Sequence, residues 1–118
     1  MTVSQTFKTL VLEQLGRAVP QVRARSMFGG VGLYAGDLFF ALIADDTLYL
    51  KVDDATRAEF EALGSRPFQP YGDERETMQY YNIPAELLED VDGLRPWAEK
   101  ALGAASRKRK KRTKGKTK

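Results

Sequence analysis

The chain has neither cysteine nor histidine in its 118 residues. Without thiols there is no disulfide, thiolate nucleophile, zinc ribbon or iron–sulfur ligand set. Without imidazole there is no ordinary general base at neutral pH, no common catalytic triad and no His metal ligand. Catalysis would have to run on Asp, Glu, Lys, Tyr, Ser or Thr, so a non-enzymatic protein with no cofactor is expected. Long apolar runs are missing as well. The longest, Leu38 to Ala44, falls far short of the ~20 residues that cross a bilayer. The opening residues, Met1 to Lys8, lack a charged region followed by an unbroken apolar one, and a cytoplasmic location is expected.

What the chain does have is charge, unevenly placed. Nine of its 19 Lys and Arg stand between Arg107 and Lys118, with no acid among them; the other 106 residues hold ten basic and 16 acidic side chains, a net of −6. The overall +3 therefore describes neither part. Residues 1–106 are expected to form one domain. Residues 107–118 have no apolar side chain to offset the entropy of ordering them and are expected to be a disordered basic tail. The first of them would prolong the last helix, where cations suit the negative end of the dipole.

Apolar spacing outlines the elements. Phe7, Leu10, Val11, Leu15 and Ala18 recur every three or four residues, the mark of one helical face. Ser4, or Thr2 with Gln5, suits the N-cap, and Pro20 stops the helix near Val19. Short strands follow, joined by turns at Gly29-Gly30-Val31-Gly32, Gly36-Asp37 and Asp45-Asp46, which predicts an antiparallel meander. The unbroken Leu38–Ala44 run suits a central strand covered on both faces. In the next strand Leu48, Leu50 and Val52 share one face, and Thr47, Tyr49 and Lys51 the other. Asp53 or Asp54 is placed to cap a second helix running to Leu63, with Phe60 and Leu63 inward and Gly64 at its end. Pro67 and Pro70 confine their segment to a sheet edge or to an irregular path. Glu76 to Ile83 reads as another strand, and a final helix from Asp90 or Asp92 presents Leu94, Trp97, Ala98, Ala101, Leu102 and Ala105 inward, with Trp97 as a core anchor. The order α-ββββ-α-ββ-α predicts an α+β fold: helices packed on an antiparallel sheet of about five to six strands.

Candidate chemistry is sparse. The glycines at 29–32 precede a strand rather than a helix and lack a following Gly-Lys-Ser/Thr, so hairpin or bulge glycines suit them better than a phosphate loop. Asp45-Asp46 and Asp53-Asp54 lie at the two ends of a strand of about six residues, roughly 20 Å apart, too far to share a metal; turns and caps account for them. Tyr80 and Tyr81 point to opposite faces of one strand, so at most one joins the core. The exposed ring, taken as Tyr81, forms with Tyr34 and Tyr49 a candidate partner surface. The alternative is a small-ligand site on the Tyr80/Tyr81 face and the Gly29–Gly32 turn. The basic run, led by Arg107, Lys108, Arg109, Lys110, Lys111 and Arg112, would contact nucleic acid through phosphates without reading sequence. No aromatic is interleaved for base stacking.

The collinear segments Ser26-Met27-Phe28-Gly29-Gly30-Val31-Gly32-Leu33-Tyr34, Phe39 with Ala41-Leu42-Ile43, Asp46-Thr47-Leu48-Tyr49-Leu50-Lys51, Arg66-Pro67-Phe68 and Met78-Gln79-Tyr80-Tyr81-Asn82-Ile83-Pro84 resemble the TfoX (Sxy) N-terminal domain family, in order from about Leu10 to Leu102. The resemblance implies an α+β domain with a secretion-chaperone-like arrangement. It also implies kinship with regulators of bacterial competence, whose longer members act with the cyclic-AMP receptor protein at some of its promoters through a second, helical domain. It carries no catalytic residues onto this chain. Taken with the basic run, the resemblance makes the expected role that of a small regulatory or adaptor protein that meets a protein partner of the transcription machinery, with non-specific DNA contact by the tail.

Overall fold

In the computed structural model the described residues are 4–27, 30–68 and 79–116; the side chains of Met27 and of residues 109–116 fall outside the description. The elements in chain order are α1 (Gln5–Ala18), β1 (Val22–Met27), β2 (Gly30–Ala35), β3 (Leu38–Ala44), β4 (Thr47–Lys51), α2 (Arg57–Ala62), β5 (Tyr80–Asn82), α3 (Ala85–Leu88) and α4 (Val91–Lys116). The strands form one antiparallel sheet in the order β1-β2-β3-β4-β5, the expected meander. Each hairpin pairs strands adjacent in sequence, so little chain entropy is spent on closing loops.

Ser4 caps α1, its hydroxyl accepting from the Phe7 amide at 3.1 Å, and the helix gives way to extended backbone at Val19, just before Pro20. Val11 and Leu15 are fully buried. Leu10, expected on the inner face, is instead exposed at 36%, the most of any large apolar residue among those described, and Leu12 packs inward in its place. One residue is 100° of helical arc, so a contact stripe centred on Val11 and Leu15 excludes one of its flanking neighbours.

The β3–β4 turn holds Asp45 and Asp46 at φ 49° and 50°. That left-handed pair is the geometry of a two-residue hairpin loop, and Asp tolerates it better than most side chains. Gln21 is held at φ 60° between α1 and β1 with no such side-chain advantage. Gln21→Gly should relieve the strain, raising stability by about 0.5 kcal/mol after the glycine entropy cost. Urea unfolding checks this; a loss of stability would show that the Gln21 side chain holds the turn.

Helices α1 and α4 pack on each other, and α4 lies across β3 and β4. Their shared core contains Leu33, Ala41, Ile43, Leu48, Leu50 and Val52 from the strands, with Leu94, Ala98, Ala101 and Ala105 from α4. Alanines on that face let the helix lie close to the sheet. A register shift at Leu33/Tyr34, where Leu33 pairs with Ala41 and Tyr34 with Phe39, leaves Phe40 as an extra residue. This bulge puts Phe40 and Ala41 in the same core, both fully buried, and sends Phe39 to the opposite face.

The second helix is shorter than expected: it begins at Arg57 with Thr56 as N-cap. Asp53 acts one turn earlier, its carbonyl accepting from the Thr56 and Arg57 amides and its carboxylate from the Ala55 amide. Phe60 is completely buried, as expected, and Leu63 half-buried. Pro67 bridges Tyr81, and hydrogen bonds from the Phe68 amide to Tyr80 and from the Asn82 amide to Arg66 place residues 66–68 along the edge of β5. The strand expected over Glu76–Ile83 is described only from residue 79; 69–78 lie outside the described residues. Trp97 is half-buried rather than a central anchor, resting edge-on against Phe60 at 4.9 Å.

Helix α4 runs from Val91 to Lys116. Its backbone continues through most of the segment expected to be a disordered tail, well beyond a prolongation by the first few residues. Asp90 accepts from the Gly93 amide at its start, and Pro96 lies in the second turn.

Candidate functional site

The face of the sheet turned away from α1 and α4 carries a second, smaller cluster. Leu42, Ala44 and Tyr80 are buried in it, with Phe39, Tyr49 and Phe68 packed around them. The rings form two groups. Tyr34 stacks on Phe39 at 5.1 Å, and Phe39 meets Tyr80 at 5.5 Å; separately, Tyr49 meets Phe68 at 4.9 Å. Such pairs hold a sheet face rigid, each contributing about 0.5–1.5 kcal/mol beyond simple burial.

Of the expected partner surface, Tyr34 and Tyr49 lie on this face, both half-buried. Tyr81 does not. It is 6% exposed, belongs to the helix-side core beside Phe60, and donates its hydroxyl to Glu61 at 2.9 Å. Tyr80 is buried as well, 5% exposed beside Phe39, but on this opposite face rather than in the helix-side core. The alternation was read correctly, but its phase is set by pairing: Leu50, a core residue, stands opposite Tyr81, while Lys51 stands opposite Tyr80. Burial pushes the phenol pKa of Tyr80 well up; burial and then the Glu61 hydrogen bond raise that of Tyr81. Neither ring is a base at neutral pH.

The glycine segment is part of the sheet where it is described. Gly30 and Gly32 pair with Met27 and Arg25, and β3 follows β2 through the Gly36 turn. No helix begins there to present amides to a phosphate. The aspartate pairs serve turns, caps and ion pairs. Asp46 accepts from the Ser4 amide at 2.7 Å, tying the start of α1 to the β3–β4 turn, and Asp54 holds Arg57 at 2.6 Å. Among the described residues no group of three or more acidic side chains could hold a metal.

The tertiary fold brings together a different set. Beyond β4, the Asp53–Ala55 turn faces the stretch of α4 that carries Ala104, Arg107 and Lys108, and the space between is a cleft of about 620 Å³. Lys51 lines it. Only 3% of Lys51 is exposed, and its ammonium lies 4.9 Å from the centre of the Tyr80 ring. Arg107 Nε donates to Asp53 at 2.6 Å, and this bond is the main reason the Asp53 carboxyl sits below its usual range. Lys51 has no carboxylate of its own among the described residues. Its pKa falls to about 8, first because burial removes hydration and second because the Lys108 ammonium repels it; Asp53 offsets only part of this. Three cations thus share a cleft with a carboxylate that Arg107 already satisfies. Sequence reading gives Arg107 and Lys108 to nucleic acid and Asp53 to a helix cap, and Lys51 carries no signal of its own, because the cleft arises from contacts more than fifty residues apart in sequence. Arg109, Lys110, Lys111 and Arg112 lie outside the described side chains.

A five-stranded meander with its helices on one face, a tyrosine-bearing opposite face and a basic helix end defines a small α+β domain without an evident catalytic constellation among the described residues. Residues 13–105 match the profile of the TfoX N-terminal domain, and the chain belongs to that family. It is also 37% identical over 88 residues to the DNA transformation protein TfoX1 of Aliivibrio fischeri, a match covering 68% of this chain and 40% of that protein. The chain therefore corresponds to less than half the length of this relative. Among the described residues, no helix is long and apolar enough to cross a membrane.

Proposed function

We propose that this domain is a regulatory adaptor rather than an enzyme, one that docks on a protein of the transcription machinery and holds DNA non-specifically through its C-terminal cations. The observation that carries the proposal is the segregation of charge. Nine Lys and Arg follow Ser106 with no acid, on a body of net −6, and the backbone joining the two is a helix packed into the core at Ala98, Ala101 and Ala105. A cationic arm on a rigid mount lies along a phosphate backbone while the acidic body is held off it. Membership of the TfoX N-terminal domain family, and likeness to a protein named for DNA transformation, support the regulatory part. The half-buried rings of Tyr34 and Tyr49 suit the docking of a protein partner, since aromatic side chains are enriched at such surfaces.

Duplex titrations at three salt concentrations test the DNA contact. With about five charges engaged, log K should fall against log[salt] with a slope near −4.5. Random and promoter sequences should bind alike, because phosphate contacts carry no sequence information. A chain cut after Ser106 should lose this affinity. It should still unfold cooperatively, since the ion pair it forfeits among the described side chains, Arg107–Asp53, is half-exposed on the arginine side and exposed pairs contribute at most about 1 kcal/mol. Full affinity in the cut chain, or strong promoter preference in the parent, would overturn the DNA part of the proposal.

A further inference from the structure

The cleft beside Lys51 is an unusual place for cations. An ammonium removed almost wholly from water normally meets a carboxylate there, because an uncompensated buried charge is strongly unfavourable. Among the described residues Lys51 instead faces a second ammonium, Lys108, and the ring of Tyr80, while Asp53, a carboxylate that shares the cleft with it, is bound to Arg107 at 2.6 Å. Asp54, also on the rim, is taken by Arg57 at 2.6 Å. Two ammoniums lining one cleft suit an anion with several acceptor oxygens, able to accept from both at once.

We propose that this cleft binds the phosphate group of a small phosphorylated ligand, with Lys51 and Lys108 donating to its oxygens and Arg107 holding the wall of the site through Asp53. A carboxylate ligand offers two oxygens in one plane; a phosphoryl group offers three in a tetrahedral array and up to two negative charges, which suits donors arriving from a strand and a helix. The volume of about 620 Å³ is that of a small-molecule site rather than of a single ion. A duplex backbone is excluded by shape: Lys51 is 3% exposed, and the phosphates of a DNA rod cannot reach it without opening the cleft. The site is distinct from the DNA contact proposed above, which needs about five of the nine cations, seven of which lie beyond the cleft.

Backbone and lysine ¹⁵N NMR on the full chain, titrated with inorganic phosphate and with pyrophosphate, tests the assignment against sodium chloride of matched ionic strength. Phosphate should cause saturable shifts at Lys51 to Ala55 and at Ala104 to Lys108, with pyrophosphate tighter. Lys108→Ala, on the exposed surface of α4, should weaken binding tenfold or more, and Lys51→Met should remove it while leaving duplex affinity unchanged. Equal shifts in chloride, or undiminished phosphate binding in Lys108→Ala, would refute the site even if the Lys51 variant failed to fold. Displacement of bound phosphate by duplex DNA would refute the small-ligand assignment and make the cleft part of the DNA surface. A negative result with phosphate leaves the duplex titrations untouched, so the two proposals fail separately.

Discussion

Phe60→Ala should lower the stability of the domain by about 3–5 kcal/mol, the cost of a large cavity in a closed core. The ring is fully buried and holds three elements together. It meets Trp97 of α4 edge-on at 4.9 Å and Tyr81 of β5 at 6.3 Å, and it is the one buried residue of the six in α2. A helix of that length has no stability of its own, so without the ring α2 detaches, and the bond from Tyr81 to Glu61 on the same helix goes with it. Against a typical total of 5–15 kcal/mol, the loss leaves a marginal fold. Urea unfolding followed by Trp97 fluorescence measures it directly, with Phe60→Leu expected to cost about 1.5 kcal/mol at most. A loss below 1 kcal/mol for the alanine variant would mean that α2 collapses onto the space and that the core does not depend on the ring.

The second large effect is a pH dependence. Lys51 has a folded pKa near 8 against an ordinary 10.5. Between those values the unfolded chain holds a proton that the folded one has lost, so stability must rise with pH across this window. The lowered pKa works against the fold below pH 8, by up to about 3 kcal/mol at 1.36 kcal/mol per unit. Among the described residues, the charged and titratable groups around Lys51 are Lys108 and Arg107 from α4, Asp53 and Asp54 from the turn after β4, and Tyr80 from β5. Arg107 stays charged throughout, and the Asp53 carboxyl ionises far below the window. Tyr80 limits it from above: its pKa is raised, so past pH ~10 the unfolded chain loses phenol protons that the fold retains, and stability falls again. Lys51→Met, which keeps the length of the side chain and discards its charge, should be more stable than the parent at pH 7 and should lack the rise between pH 8 and 10. Urea midpoints at pH 6.5, 8 and 9.5 for both proteins decide the matter. A parallel pH profile in the two would show that the Lys51 ammonium is hydrated and that the cleft is not the electrostatic trap described.

Much of this architecture follows from local rules acting on residues close in sequence. Ser4 and Pro20 bound α1 because capping and proline sterics act within one turn. The hairpins at Gly36-Asp37 and Asp45-Asp46 are legible because few residues tolerate a left-handed backbone. The alternation of Leu48, Leu50 and Val52 reveals a half-buried strand because side chains of a strand have period two. These signals determine the element order and the α+β class, and the segregation of positive charge beyond Ser106 is likewise a property of the sequence alone. The tertiary structure decided what depends on phase, register and distance. Period two says that Tyr80 and Tyr81 face opposite ways, but only pairing with Leu50 and Lys51 says which of them enters the core. A run of seven apolar residues conceals the bulge that turns Phe40 inward, because both faces of β3 are covered and no polar residue marks the break. Helix periodicity cannot tell Leu10 from Leu12, since both flank the contact stripe and the neighbouring elements choose between them. The Lys51 cleft is the extreme case. It depends on α4 carrying Arg107 and Lys108 to the end of β4, and no local rule relates a residue of a strand or its turn to a helix residue 54 or more positions away.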